Sequence, residues 1–531
     1  MDPDVPNLSE PHDEATALAM IAWLEALVTD PAAMAALDRD VRARLQKAAG
    51  LVAPTDRLET RQRTRKKLRA IRARKREHDD AVLDGTSNRA MKRSLRFPVA
   101  PLSLAIDAES RRLLEVQEAV PFEASARIDA PIDATTDAAS ETEPIQLQEP
   151  QSCYVCKDAY TEVHEHYDSM CPACAAINWV KRHQTADLSG RVAVVTGARV
   201  KIGFESVLML LRAGCHVVAT TRFPKDAAMR YAREADFADW KERLEIHGID
   251  LRHTPSVEAF AKHLESKLPR LDFLIHNACQ TVRRPPSYYT HLIEGERSDD
   301  LPTGVAALLG EHEDFTRDAE TSLRTTVEGH VGRTHSAELT QLDLLGEAGQ
   351  SYLFPEGMRD GEGQQLDLRE SNSWRMNLAD VPTTELLEVQ LVNSIAPFVL
   401  TSNLKPLMLR EPSQDKHVVN VSAMEGVFDR GLKTTRHPHT NMAKAALNMM
   451  TRTSAPEFAA DGIFMNSVDT GWVTDEDPFA KAVNKEADQR FVPPLDSVDG
   501  AARVLDPIFT GFLTGTHCWG QFLKDYAPSP W

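Results

Sequence analysis

The chain has 531 residues, 42% of them apolar, enough for a sizeable core and for two to four domains. With 61 Lys and Arg against 79 Asp and Glu the net charge is −18, which argues against general affinity for nucleic acid or acidic membranes. Seven cysteines in so long a chain do not make a disulfide framework.

The longest apolar helix candidate, Ala15 to Val28, is interrupted by Glu25 and is too short to span a bilayer. It has no basic leader and no cleavage site, so neither a signal peptide nor a membrane span is expected, and the expected location is cytoplasmic. Leu18, Ile21, Leu24 and Leu27 share one helical face; Met34, Leu37, Val41 and Leu45 share another. From Arg57 to Arg76 there are 11 Lys or Arg and one acid, Glu59. Such a stretch is either a contact arm for nucleic acid or an acidic partner, or a solvated helix face that pairs with the chain's own acids. It lacks aromatics that would stack on bases, so nucleic acid is not expected. Residues 1–117 are therefore expected to be a helical region with a basic helix.

Residues 118–150 hold 8 acids and one base, Arg127, among Ala, Thr and Pro. That leaves too little apolar surface to offset chain entropy, and an acidic disordered linker is expected. Next come Cys153-x-x-Cys156 and, after 14 residues, Cys171-x-x-Cys174. Two such turns supply a tetrahedral four-sulfur shell, with bonds of about 2.3 Å to zinc. No position is left for water, so the metal would be structural, in a zinc ribbon over 151–182. His164 and His166 lie between the pairs, but four thiolates already saturate the ion. A ribbon of this kind serves packing or a protein partner, as the basic helix also could.

Residues 192–204 run from a buried apolar strand through a glycine-bearing turn into a helix. That order brings a helix N-terminus against a dinucleotide pyrophosphate. Strands are predicted at Arg191–Val195, His216–Thr220, Leu244–Asp250 and Leu271–His276, and helices at Phe204–Ala213 and Val257–Leu268. The alternation predicts a doubly wound parallel-sheet Rossmann domain of the α/β class over 187–531.

The motifs resemble the short-chain dehydrogenase/reductase superfamily. Its glycine turn appears as Thr196-Gly197-Ala198-Arg199-Val200-Lys201-Ile202-Gly203, with Lys201 where the middle glycine stands. Its motif after the fourth strand appears as His276-Asn277-Ala278-Cys279. Asp250 matches the acid after the third strand that meets the adenine. Asn393 matches the asparagine of the fifth helix, Lys444 the lysine of the active-site helix, and Thr470-Gly471 the Pro-Gly after the sixth strand. The resemblance implies that Thr196, Gly197, Arg199, Lys201, Ile202, Gly203, Thr221, Arg222, Asp250, Leu251, Asn277, Ala278, Lys444, Gly471 and Val473 bind a nicotinamide dinucleotide. It also implies a homo-oligomer. An NAD site wants a carboxylate after the second strand. Here that stretch reads Ala219-Thr220-Thr221-Arg222, and Arg199 and Lys201 lie in the turn, so NADP(H) is favoured. Alternatively, Arg222 caps the helix near Lys225 and never reaches the cofactor.

The family's hydride transfer uses a tyrosine four residues before the lysine and a serine at the end of the fifth strand. Here Thr440 stands in the tyrosine position. Aligning Asn420 and Gly426 puts Ala423 in the serine position, with Ser422 turned to the opposite face. A threonine hydroxyl is far less acidic than a phenol, whose pKa is about 10. The expected catalytic set is Lys444 on the ribose, Asn393 ordering a water relay, and Thr440, His439 or an insertion residue handling the proton. His437 is a further imidazole here; a His-Pro-His surface turn is the plain alternative. An insertion at 281–380 is also expected, because Asn393 lies 116 positions beyond Asn277. Its Arg283, Arg284, Tyr288 and Tyr289 either reach the nicotinamide end or pack the insertion. The function expected is an NADP(H)-binding oxidoreductase for a carbonyl or alcohol with the usual Ser and Tyr replaced. The alternative is a catalytically inactive NADP(H)-binding scaffold or redox sensor that engages a partner through the ribbon and N-terminal arm.

Overall fold

The computed structural model describes residues 14–52, 57–94, 145–298, 301–310, 336–359, 364–428, 433–479, 481–482, 484–485 and 491–531. The chain divides into two units between Asp79 and Asp80. The first holds helices Glu14–Thr29, Pro31–Ala36 and Arg39–Val52, and most of helix Arg57–Asp84. Asp30 caps the second of these, its carboxylate accepting from the Ala32 N–H at 2.9 Å. Of the four residues sharing the first apolar face, Leu27 is buried while Leu18, Ile21 and Leu24 are exposed. The basic stretch is helical from Arg57 onward. No helix among the described residues is long and apolar enough to cross a membrane.

The second unit includes an antiparallel pair, β1 (Ile145–Ser152) and β2 (Ala159–Val163), followed by helix Pro172–Arg182. β1 starts inside the stretch read as linker, so the folded ribbon begins at residue 145 rather than 151. Residues 118–144 of that expectation lie outside the described residues.

A second sheet has eight strands: β3 (Val192–Thr196), β4 (His216–Thr221), β5 (Leu244–Gly248), β6 (Phe273–His276), β7 (Lys416–Ser422), β8 (Ile463–Asp469), β9 (Phe522–Lys524) and β10 (Ala527–Ser529). Their order is β5-β4-β3-β6-β7-β8-β9-β10. Every neighbouring pair is parallel except β9 with β10. All five residues of β3 are buried, as a central parallel strand covered on both faces requires. Helices Lys201–Arg212 and Ser497–Thr514 supply Val207, Leu211, Val504 and Ile508 to one face. Helices Thr254–Lys267 and Ala396–Met408 supply Phe260, Leu264, Leu400 and Leu404 to the other. The four strands read from sequence in 188–280 hold to within two residues. The strand order reverses between β3 and β6, which leaves a crevice beyond their carboxyl ends.

The insertion at 281–380 carries helix Pro286–Arg297 and a series of short turns. It covers the sheet edge. The Ile246 N–H donates to Leu308 O at 2.7 Å and the Gly310 N–H to Ile246 O at 2.9 Å, so residues of the insertion pair with β5.

Candidate functional site

A groove runs along the carboxyl ends of the strands. Every residue expected to hold a dinucleotide lines it except Thr196. Thr196 lies behind: its hydroxyl oxygen accepts from the Ala278 N–H at 3.1 Å and so ties β3 to the turn after β6. The Asn277 amide donates to Thr196 O and to Gly197 O, each at 3.1 Å. A Cβ on Gly203 would lie 2.2 Å from Gly197 O, so only glycine lets the helix start this close to the strand turn. Lys201, where the family pattern has its middle glycine, keeps the left-handed backbone that glycine would adopt, with φ of 55°.

The cations beside this turn have protein partners. Arg199 is buried and its guanidinium donates to Asp226 at 2.8 Å. Lys201 lies 3.6 Å from Glu476. Arg222 donates to the Tyr289 hydroxyl at 2.9 Å and stacks 4.7 Å from that ring. It does not cap the helix beginning at Pro224, whose Lys225 and Asp226 N–H groups go to Glu296. Asp226 was not legible as a site residue, because it sits one helical turn beyond the position where an acid is sought. Asp250 is wrapped by Arg252, with contacts of 2.6 to 3.1 Å to its carboxylate. Burial alone would raise that carboxyl; Arg252 outweighs it and holds it below the usual range.

At the other end, helix Pro438–Ala460 presents Lys444, whose ammonium donates to Val421 O at 2.7 Å. Ala423 lines the groove, and so does Ser422, which the sequence placed on the opposite face; its hydroxyl donates to Asn448 on the same helix at 2.6 Å. The other three expected catalytic residues do not line the groove. Thr440 is buried, and its hydroxyl has no hydrogen-bond partner among the described residues. His439 points to Glu385, Nε2 to Oε1 3.2 Å. Asn393 sits in a π-turn, Leu391–Ile395, and its side chain takes the Gln280 N–H at 2.7 Å. What faces the groove beside Lys444 is His437 with Asn441. Asn441 and Lys444 are three apart on one helix face, and His437 stands at that helix's N-cap four residues before Asn441, a spacing that could have singled out Asn441. The His437 imidazole contacts Asn441 Oδ1 at 3.1 Å. Burial pushes its pKa below the ordinary 6.5, with Glu425 opposing.

The insertion's basic and aromatic residues have partners within the protein, although Arg284, Tyr288 and Tyr289 also line the groove. Arg283 pairs with Glu347 and with Glu388, and Arg284 with Asp367. Tyr288 packs edge-on against Tyr289 and Phe354. Tyr289 reaches Arg222, at the β4 end of the groove.

The four ribbon sulfurs lie within 4.8 Å of one another, with Cys156 and Cys171 3.7 Å apart. A tetrahedral ion with bonds of about 2.3 Å sets its sulfurs about 3.8 Å apart, so the cluster fits zinc. At Cys153 burial pushes the thiol up. The N–H groups of Cys171, Cys156 and Val155 outweigh it and bring the pKa down to about 7. His166 turns instead toward Asp496, 3.9 Å away.

Sheet order, glycine turn and helix lysine together define a Rossmann-type α/β domain. A family model described as short chain dehydrogenase matches residues 191–291, and one described as enoyl-(acyl carrier protein) reductase matches 370–492. An uncharacterized protein of Acanthamoeba polyphaga mimivirus is 30% identical over 385 residues, 70% of this chain and 74% of that protein. The chain belongs to the short-chain dehydrogenase/reductase superfamily. Dehydrogenase/reductase SDR family member 13 of Bos taurus is 33% identical over 23% of this chain and 36% of that one. The (+)-neomenthol dehydrogenase of Capsicum annuum is 37% identical over 17% of this chain and 29% of its own length. The chain thus spans about a third of these two dehydrogenases. An NADPH-bound carbonyl reductase from chicken fatty liver superposes with a TM-score of 0.39 at 18% identity, over 66% of this chain and 98% of that one.

Proposed function

We propose that the chain is an NADP(H)-dependent oxidoreductase for a carbonyl or alcohol, with the family's usual serine and tyrosine replaced. The observation that carries it is the single groove in which the glycine turn, Arg222 and Lys444 lie together at the strand ends. The close approach at Gly203 fits a pyrophosphate, and Arg199 and Arg222 flank the place of a ribose 2′-phosphate. The bound nicotinamide supplies or accepts the hydride. Lys444 holds the ribose hydroxyls. His437 donates or accepts the proton at the substrate oxygen, in the role that Thr440 and His439 are too enclosed to fill. Asn393 positions the Gln280 backbone behind the groove. Cys153, Cys156, Cys171 and Cys174 hold a structural zinc ion.

The test is NADPH oxidation across a panel of carbonyl compounds. Turnover that Lys444→Ala abolishes is the expected result. Calorimetry that gives no heat with NADPH or NADH overturns the reading. The enclosure of Thr440 favours one second reading, a non-catalytic NADP(H)-binding scaffold or sensor. Tight binding without turnover of any carbonyl would select it.

A further inference from the structure

Several ribbon side chains line the groove, and one of them meets the loop after β8. Tyr154 lies between Cys153 and Cys156 and lines the groove. Its phenolic oxygen accepts the Trp472 N–H at 2.9 Å. On the other side of that residue the Leu495 N–H donates to Trp472 O at 3.3 Å, so both backbone groups of Trp472 are held. Gly471 is fixed in the same place. Its φ is 73°, and a Cβ there would lie 2.5 Å from Leu495 Cδ1 and 3.0 Å from the Tyr154 oxygen. The apolar packing is continuous: Cys153, Cys174, Tyr167 and Met170 share one buried cluster with Val473 and Leu495. Tyr154 is itself tied into the ribbon, its N–H donating to Ser169 O at 2.7 Å.

We propose that Tyr154 is a positioning residue that makes the grip of the Gly471–Val473 loop on the nicotinamide half of the cofactor depend on metal in the ribbon. The inference rests on the reading of the groove as an NADP(H) site. With four sulfurs on one ion, the Cys153–Cys156 turn is rigid and the Tyr154 oxygen stays under the Trp472 N–H. Without the ion nothing ties the four sulfurs to one point, and the turn no longer dictates where that oxygen lies. The loop then pays an ordering cost when the nicotinamide binds. The adenosine half binds at β3 and β4, away from this loop, and does not feel the change.

The experiment measures dissociation constants by calorimetry on the full-length chain for NADPH and for adenosine 2′,5′-bisphosphate, which lacks the nicotinamide. Tyr154→Phe keeps the ring and removes the acceptor. It is expected to weaken NADPH binding about 2- to 10-fold, in line with the loss of one hydrogen bond, and to leave the bisphosphate within about 2-fold. Chelation of the metal is expected to give the same split, and added zinc to restore it in the wild type. Unchanged bisphosphate affinity also shows that the groove remains folded. Equal losses for both ligands, or no loss for NADPH, overturn the proposal. If wild-type protein binds neither ligand, the dinucleotide reading itself fails.

Discussion

The imidazole of His437 lies flat on the indole of Trp374, with ring centroids 4.0 Å apart and planes 4° from parallel. The contact joins the end of the insertion to the N-cap of the helix that carries Lys444. His437 has a left-handed backbone, φ 42°, which costs a non-glycine residue about 1–3 kcal/mol. It is held there from three sides: the ring on Trp374, Nδ1 against Asn441, and its N–H on Met376 O at 2.8 Å. Strain kept by so many constraints is what a positioned functional group looks like.

His437→Gln is therefore expected to lower turnover by about 10²- to 10⁴-fold, the usual loss for a positioned acid or base. NADPH affinity should change little, because Lys444 and the glycine turn are untouched. Burial is the largest influence on the imidazole and lowers its pKa from 6.5; Glu425 opposes and His439 adds to it. It is neutral at pH 7. Alcohol oxidation, which needs the base form, should hold level above pH 6.5 and fall as the pH drops through the lowered value. Steady-state rates against pH check this, and the acid limb should vanish in His437→Gln.

Arg222→Ala is expected to weaken NADPH binding about 10- to 100-fold and NADH binding much less. A charge-assisted contact to phosphate contributes about 1.5–3 kcal/mol. Tyr289→Phe removes only the hydroxyl that Arg222 now meets at 2.9 Å. It should change NADPH affinity several-fold at most. Equal losses for both nucleotides in Arg222→Ala would place the residue away from the 2′ position.

Much of this was legible because it is local. The β3 run Val192–Thr196, the glycine turn and the paired cysteines each announce themselves within a few residues. Ser422 and Ala423 were harder: strand alternation puts them on opposite faces, yet both line the groove where the strand ends. What escaped was made by distance. Trp374 meets His437 across 63 positions of sequence, and Asp226 meets Arg199 through the fold of the helix after β4. The insertion has no strong periodicity to announce its path. Its Tyr288 and Tyr289 therefore read equally well as reaching the nicotinamide end or as packing the insertion; they pack on each other, Tyr288 also on Phe354, and Tyr289 meets Arg222.

Thr440 gives a direct test of which group moves the proton. Its hydroxyl is buried and without a partner among the described residues, a state that costs about 1–3 kcal/mol. Valine has the same shape and no hydroxyl. Thr440→Val is expected to raise the urea midpoint, by about 1 kcal/mol of stability, and to leave turnover unchanged. A large fall in turnover at unchanged NADPH affinity would return the proton to Thr440.

Asp469, the last residue of β8, lines the groove and sits buried beside Glu425 and Asp525, with Lys524 in partial compensation. Burial raises its carboxyl pKa from 3.8 to about 6. The native state therefore holds this proton more tightly than the unfolded chain does. That stabilisation is complete below about pH 4 and is lost as the pH rises through about 6. Above that pH the chain carries a buried carboxylate with incomplete compensation. Asp469→Asn keeps the shape and cannot ionise. It should match the wild type near pH 4 and become more stable as the pH rises. At pH 8 the difference should reach about 1–3 kcal/mol, since a tenfold change in proton affinity between the folded and unfolded chain corresponds to about 1.4 kcal/mol. Urea midpoints at half-unit steps from about pH 4 to about pH 8 measure the difference. A gap that stays constant across that range would mean that Asp469 ionises as an ordinary aspartate and that its burial in the groove wall is relieved by solvent.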